Sequence, residues 1–143
     1  MGRFRQSFTV SASPSAAVDY LADYAHTVAW DPGTTRCTRD DIGPLGVGTT
    51  WTNVSDFRGR ETTLTYRLVE LTDRRIRFEG EGRGATAYDD FTVTAGAGAT
   101  AHITYDAGIT FKTWRKVADP FLRPMLSRMG AGAVAGVTAA LAG

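Results

Sequence analysis

AHITYDAGITF (residues 101–111) runs directly into KTWRKVADPFLRPMLSRMGAGAVAGVTAALAG (112–143), and this junction decides the fold. In the first segment Ile103, Tyr105, Ala107, Ile109 and Phe111 fall opposite His102, Thr104, Asp106 and Thr110, the period-two pattern of a half-buried strand. In the second, Trp114, Val117, Phe121, Leu122, Met125, Leu126, Met129, Val134, Val137 and Leu141 recur at spacings of three and four, an amphipathic helix. Asp119 followed by Pro120 predicts a cap and a first helical position, which leaves 112–118 as a separate turn. Pro124 is expected to kink the first turns, and Gly130, Gly132 and Gly136 each weaken the helix by roughly 1 kcal/mol relative to Ala. The helix therefore needs tertiary packing, and the three glycines are expected to leave room beneath its second half. A long helix set against a curved sheet encloses an apolar space between them.

Upstream, residues 3–11 alternate, with Phe4, Phe8 and Val10 on one face and Arg3, Arg5, Ser7 and Thr9 on the other. Ser13-Pro14 then signals a helix start, and Val18, Leu21, Ala22 and Ala25 carry helical spacing through 14–25. HTVAWDPG predicts a short second helix ending at Asp31, because the residue before Pro32 is steered away from helical geometry. From about Thr35 the period changes to two. The predicted strands are 35–42, 48–57, 60–71, 74–81, 85–95 and 100–111, separated by turn chemistry such as Gly43-Pro44, Arg58-Gly59 and Thr72-Asp73. Connections this short imply antiparallel neighbours.

The composition bounds the rest. At 143 residues the chain is expected to form a single domain spanning 1–143, long enough to bury roughly 70% of its unfolded surface. A net charge of +1 gives no electrostatic case for nucleic acid or an anionic membrane. The lone Cys37 suits a reducing compartment, and MGRFRQSFTV lacks the apolar run of a signal peptide, so a cytoplasmic protein, monomer or homodimer, is expected. The apolar tail from Met129 is too short and too rich in Ala and Gly to span a bilayer.

Three stretches carry a resemblance: FTVSASPSAAVDYLADY (8–24), WDPG (30–33) and GPLGVGTTW (43–51). With the order strand, two short helices, six strands and a long helix, they make the chain resemble the START-like, birch-pollen-allergen superfamily. Within it, the chain is similar to the bacterial SRPBCC proteins of polyketide cyclase/dehydrase type. The resemblance implies an α+β helix-grip fold, a curved antiparallel seven-stranded sheet wrapped around the C-terminal helix. It also implies a small hydrophobic ligand, a lipid or polyketide-like molecule, between sheet and helix. These motifs are structural, and no catalytic signature of a cyclase subgroup accompanies them.

The candidate chemistry is correspondingly sparse. Two His, one Cys and scattered acids show no ligand spacing, so no metal is expected, and the glycine clusters lie between strands, so no cofactor is expected either. Asp89 shares a strand face with Phe91 and Val93, whereas Asp90 points outward. On an apolar inner wall Asp89 would be desolvated and able to act as an acid or base; the favoured reading is a strand-end carboxylate, solvated or paired with an arginine. Tyr66 and Tyr105 are placed on inner faces with Leu64, Phe78, Phe91 and Ile103, where their hydroxyls can orient a ligand and form the remaining catalytic candidates. Trp30, Phe121, Leu122, Met125 and Met129 complete the predicted ligand-binding set, the last four as a lid. His26 and His102 are assigned to a helix end and to solvent. Trp51 and Asn53 share a face of their strand, but which face is inner cannot be read, since one bulge reverses it. Three functions follow: a hydrophobic-ligand binder, a polyketide cyclase or dehydratase using Asp89, Tyr66 or Tyr105, and a partner-regulating module presenting Arg74, Arg75 and Arg77.

Overall fold

The computed structural model describes residues 2–57, 59–112 and 122–142. Strand β1 (Gly2–Val10) leads into helix α1 (Pro14–Leu21), a 3-10 turn (Tyr24–His26) and the short helix α2 (Thr27–Trp30). Six strands follow: β2 (Thr34–Arg39), β3 (Thr50–Phe57), β4 (Arg60–Leu71), β5 (Arg75–Glu81), β6 (Ala85–Ala95) and β7 (Ala101–Phe111). Helix α3 (Leu122–Ala140) closes the described chain. The sheet order is β1-β7-β6-β5-β4-β3-β2, antiparallel throughout and open, with β1 and β2 as its edges. Among the described residues, only the β1–β7 pair joins strands distant in sequence, and it brings the first strand alongside the last.

The local chemistry explains most boundaries. The Ser13 hydroxyl accepts a hydrogen bond from the Ala16 amide at 3.2 Å, and Pro14 opens α1. The helix expected over 14–25 stops early, because Asp23 is extended and caps the next turn through the Ala25 amide at 3.0 Å. Helix α2 ends where Pro32 requires, with Asp31 in extended geometry. The strand expected from residue 48 begins at Thr50 instead, since Gly48 adopts φ 99° in the preceding turn. Strand β2 stops at Arg39 rather than 42, and Asp40 beyond it accepts hydrogen bonds from the Thr50 and Thr52 hydroxyls, each at 2.7 Å.

The core lies between the sheet and the helices and contains Leu21, Trp51, Leu68, Ile76, Phe78, Phe91, Val93 and Ile103, all at most 1% exposed. Helix α3 packs against β1 and α2 and runs uninterrupted through Pro124 and its three glycines. The expectation that those glycines leave empty room is corrected at Gly132 and Gly136, whereas Gly130 also borders the space between the sheet and α3. A Cβ at Gly136 would lie 2.1 Å from the Trp30 carbonyl oxygen, and one at Gly130 would lie 2.3 Å from the Phe4 ring. They are sites of close approach, which a side chain would disrupt. Trp114, Asp119, Pro120 and Phe121, and the separate turn expected over 112–118 beyond Lys112, lie outside the described residues.

Candidate functional site

A cavity of about 110 Å³ opens between the sheet and α3. Its apolar wall comes from Phe4 on β1, Leu64 on β4, Ala107, Ile109 and Phe111 on β7, and Leu126, Met129 and Ala133 on α3. Strand alternation turns these side chains inward, and the helical spacing of Leu126, Met129 and Ala133 presents them on one side of α3. The polar side of the cavity is formed by Tyr24, Asp31, Ser55, Thr62, Tyr66, Asp89 and Tyr105.

Asp89 is the centre of that polar side. It is only 6% exposed and lies on the inner face of β6. The Tyr105 hydroxyl donates to one of its oxygens at 2.6 Å, and the Tyr24 hydroxyl donates to the other. Burial pushes the Asp89 carboxyl up to about 6, against the lowering influence of those two hydrogen bonds, and the nearby Asp31 charge adds to the rise. Burial also holds the Tyr24 and Tyr105 phenols well above their usual range, and Tyr66 is raised by the same cause. The rings form a continuous group: Tyr24 stacks on Tyr66 at 4.3 Å between centroids, and Phe91 stacks on Tyr105 at 4.7 Å. Asp31 is partly exposed and accepts hydrogen bonds from the Gly33 amide at 3.1 Å and the Thr34 hydroxyl at 2.8 Å. Burial raises its carboxyl, while those two hydrogen bonds act to lower it.

The favoured expectation for Asp89, a wet or arginine-paired carboxylate, is corrected: it sits away from the strand end, and its partners are two phenols. The arginines go to Asp90, on the opposite face. Arg75 bonds Asp90 at 2.6 and 3.2 Å, and Arg77 bonds it at 3.0 Å. Arg75 also lies 3.4 Å from Glu70, and Arg77 lies 3.1 Å from Glu79. Two of the three arginines that motivate the regulatory-module reading, Arg75 and Arg77, are thus satisfied within the sheet surface.

Of the sequence-predicted ligand-binding residues, Leu64, Tyr66, Asp89, Tyr105 and Met129 line the cavity. Trp30, Phe78, Phe91 and Ile103 instead form solid core behind it, each at most 2% exposed. Met125 is partly buried but is not among the cavity residues, Leu122 opens α3, and Phe121 lies outside the described residues. Sequence reasoning did not single out Phe4, Tyr24, Asp31 or Leu126 as site residues. Phe4 and Leu126 were assigned to the correct faces of their elements, which was the available signal. Tyr24 gave none, because its hydroxyl meets a partner 65 residues away.

The remaining candidates have structural roles. Trp51 and Asn53 both face inward, at 0% and 3% exposure. The Trp51 indole donates to Asp23 at 3.0 Å, and the Asn53 amide donates to Thr27 and Thr34 at 3.3 and 3.2 Å. His26 donates to the Tyr20 carbonyl at 2.7 Å and stacks on the Tyr20 ring. His102 is exposed, and burial pushes the Cys37 thiol up, away from reactivity. Among the described residues, no group of three or more His, Cys, Asp or Glu side chains is placed to hold a metal ion, and no helix is long and apolar enough to cross a membrane.

Comparison with known proteins agrees with this geometry. The family model described as polyketide cyclase/dehydrase and lipid transport matches residues 1–142. An aromatase/cyclase, Zhui, from Streptomyces sp. R1128 superposes with a TM-score of 0.74 at 16% identity, covering 97% of this chain and 90% of that one. A START superfamily protein from Mycobacterium smegmatis gives 0.71 at 12% identity, with 97% and 93% coverage. Major latex-like protein 151 from Panax ginseng gives 0.70 at 12% identity, with 98% and 97% coverage. At such identities these likenesses establish the helix-grip fold alone. No curated protein matches the sequence.

Proposed function

The chain belongs to the polyketide cyclase/dehydrase and lipid transport family, and from that premise we propose that it holds a small, largely apolar molecule in the cavity between the sheet and α3. The observation that carries this reading is the composition of the cavity. Phe4, Leu64, Ile109, Leu126 and Met129 give it apolar walls, while Asp89 and its two tyrosines converge on one side. Apolar enclosure supplies affinity, and a few fixed polar groups supply orientation. The thioether of Met129 suits a wall that adapts to varied shapes. A lipid or polyketide-like fragment fits this chemistry, and the single Cys37 suits the cytoplasm.

Paired native and denaturing mass spectra of the purified protein test the proposal. We expect an adduct, retained natively and lost on denaturation, that Leu126→Trp abolishes by filling the cavity while leaving the circular dichroism spectrum unchanged. Equal uptake by the variant would remove this cavity as the binding site. Clean masses for both proteins, with no uptake of an added apolar fluorophore, would remove the binding reading.

A second reading, a cyclase or dehydratase, is favoured by one observation: a carboxyl held near 6 beside phenols can exchange protons at neutral pH. The structural neighbour titled an aromatase/cyclase is consistent with it. Here Asp89 would move the proton, Tyr105 would orient the carboxyl, and Tyr66 would contact the substrate. Cyclisation or dehydration of a polyketide chain that survives simultaneous replacement of Asp89, Tyr66 and Tyr105 would eliminate this assignment.

A further inference from the structure

The polar side of the cavity is unbalanced in hydrogen-bonding capacity. Tyr24 and Tyr105 each point their only hydroxyl proton at Asp89, which leaves both oxygens as acceptors. The Ser55 hydroxyl donates to Asn53 at 2.8 Å, so its proton is also committed. Asp31 accepts from the Gly33 amide and the Thr34 hydroxyl, and each of its oxygens retains a free lone pair. None of the described residues lining the cavity is Lys, Arg or His. The arginines near β6 bind Asp90 from the opposite face. The Tyr88 hydroxyl donates to Asp106, and the Tyr66 hydroxyl interacts with that of Tyr24. The cavity therefore presents two carboxylates and acceptor phenol oxygens, and among its described side chains the Thr62 hydroxyl, with Tyr66 where it is not engaged by Tyr24, remains as a possible donor.

Resting on the reading of this cavity as a small-molecule site, we infer that it selects apolar molecules whose polar end donates hydrogen bonds, preferring a protonated amine to a hydroxyl and rejecting a carboxylate. An ammonium meets complementary charge on Asp31 and Asp89, and the Arg77 charge that reaches Asp89 comes from the opposite face of the sheet, outside the cavity. A hydroxyl meets acceptors but gains no ionic attraction. A carboxylate must shed its water beside two like charges with few donors to replace it, which is a repulsive element built into the site. The part of the ligand enclosed beside these groups is small, because about 110 Å³ accommodates at most a single ring.

The test is a matched series titrated at pH 7.5 into the full chain and followed by NMR: toluene, benzyl alcohol, benzylamine and benzoate. Toluene reports the cavity itself, and the other three report selection. Benzylamine is expected to bind about tenfold or more tightly than benzoate, with benzyl alcohol between them, since hydrogen bonds to charged groups discriminate on that scale. Asp89→Asn should shrink the amine-to-alcohol ratio toward one, and Asp31→Asn, which leaves the tyrosine pair intact, should shrink it partially. If toluene binds and benzoate matches or exceeds benzylamine, the selection is wrong and the cavity reading survives. If none of the four binds, the cavity reading fails and the selection fails with it.

Discussion

Asp89 and Asp90 are neighbours in the chain, yet they occupy opposite chemical worlds. Asp90 is on the outer face of β6, gripped by Arg75 and Arg77. Asp89 is on the inner face, held by two phenols with no cation among the described residues bonded to it. The outer face repeats its own solution at Asp106. There burial acts to raise the carboxyl, but hydrogen bonds from Arg3 at 2.7 Å and Tyr88 at 2.8 Å outweigh it and hold the group below its usual range. Two acids separated by one peptide bond thus serve different ends. One joins a surface network, and the other is kept at a cost in folding stability, as groups assembled for binding or catalysis often are.

The pH dependence of stability offers the largest handle on this contrast. Asp89 rises from 3.8 to about 6 on folding, so the folded state holds its proton more tightly than the unfolded state does. Stability attributable to this group is therefore highest below pH 4 and is lost as pH rises toward 6, by about 3 kcal/mol. Asp106, shifted the other way, gains stability as pH rises, so the informative quantity is a difference between proteins. Urea unfolding of the wild type and Asp89→Asn from pH 4 to 8 should show the variant gaining relative stability up to about pH 6 and then levelling off. Parallel curves would mean that Asp89 is solvated.

Tyr105→Phe should have the next largest effect. It removes one donor from a buried carboxylate, costs about 1–3 kcal/mol at pH 7 and drives the Asp89 carboxyl higher still. Carboxyl-carbon NMR titration of Asp89 would detect this, and a downward movement would break the proposed arrangement. Asp90→Asn should cost less, about 1 kcal/mol, and added salt should diminish that cost, because its arginine partners are partly in water. A salt-independent loss as large as that from Tyr105→Phe would erase the distinction between the two faces.

Gly136→Ala gives a comparison on the helix side. Helix propensity alone favours Ala by about 1 kcal/mol, but the Trp30 carbonyl stands where the new methyl must go. Net destabilisation by denaturant titration is the expected outcome, in the 1–3 kcal/mol range of overpacked sites. Stabilisation would show that α2 and α3 can separate freely.

Local pattern accounts for what could be read in advance. Alternation placed Leu64, Tyr66, Phe91 and Tyr105 on inner faces and split Asp89 from Asp90, because side-chain direction in a strand depends only on parity. It also foresaw six strands after the helical region, in antiparallel order, and a terminal helix with one apolar side. Capping chemistry located Ser13, and the restriction before Pro32 located the helix end at Asp31, but neither foresaw Asp23 breaking the first helix, since that cap is reinforced by Trp51 from a distant strand.

The sequence by itself determined the element order and the facing of most strands, because periodicity, turns and caps are fixed by residues a few positions apart, and the family resemblance implied the helix-grip class; the inner face of the strand carrying Trp51 and Asn53 was not among them. Only the tertiary structure decided which inward residues border empty space and which fill the core. Phe78 and Tyr66 share the same apolar side of the sheet, yet only Tyr66 reaches the cavity. It alone also brought Tyr24 to Asp89 and gave the arginines to Asp90. Those outcomes depend on sheet curvature and helix placement, which sum contacts across the whole chain, so no short stretch of sequence encodes them.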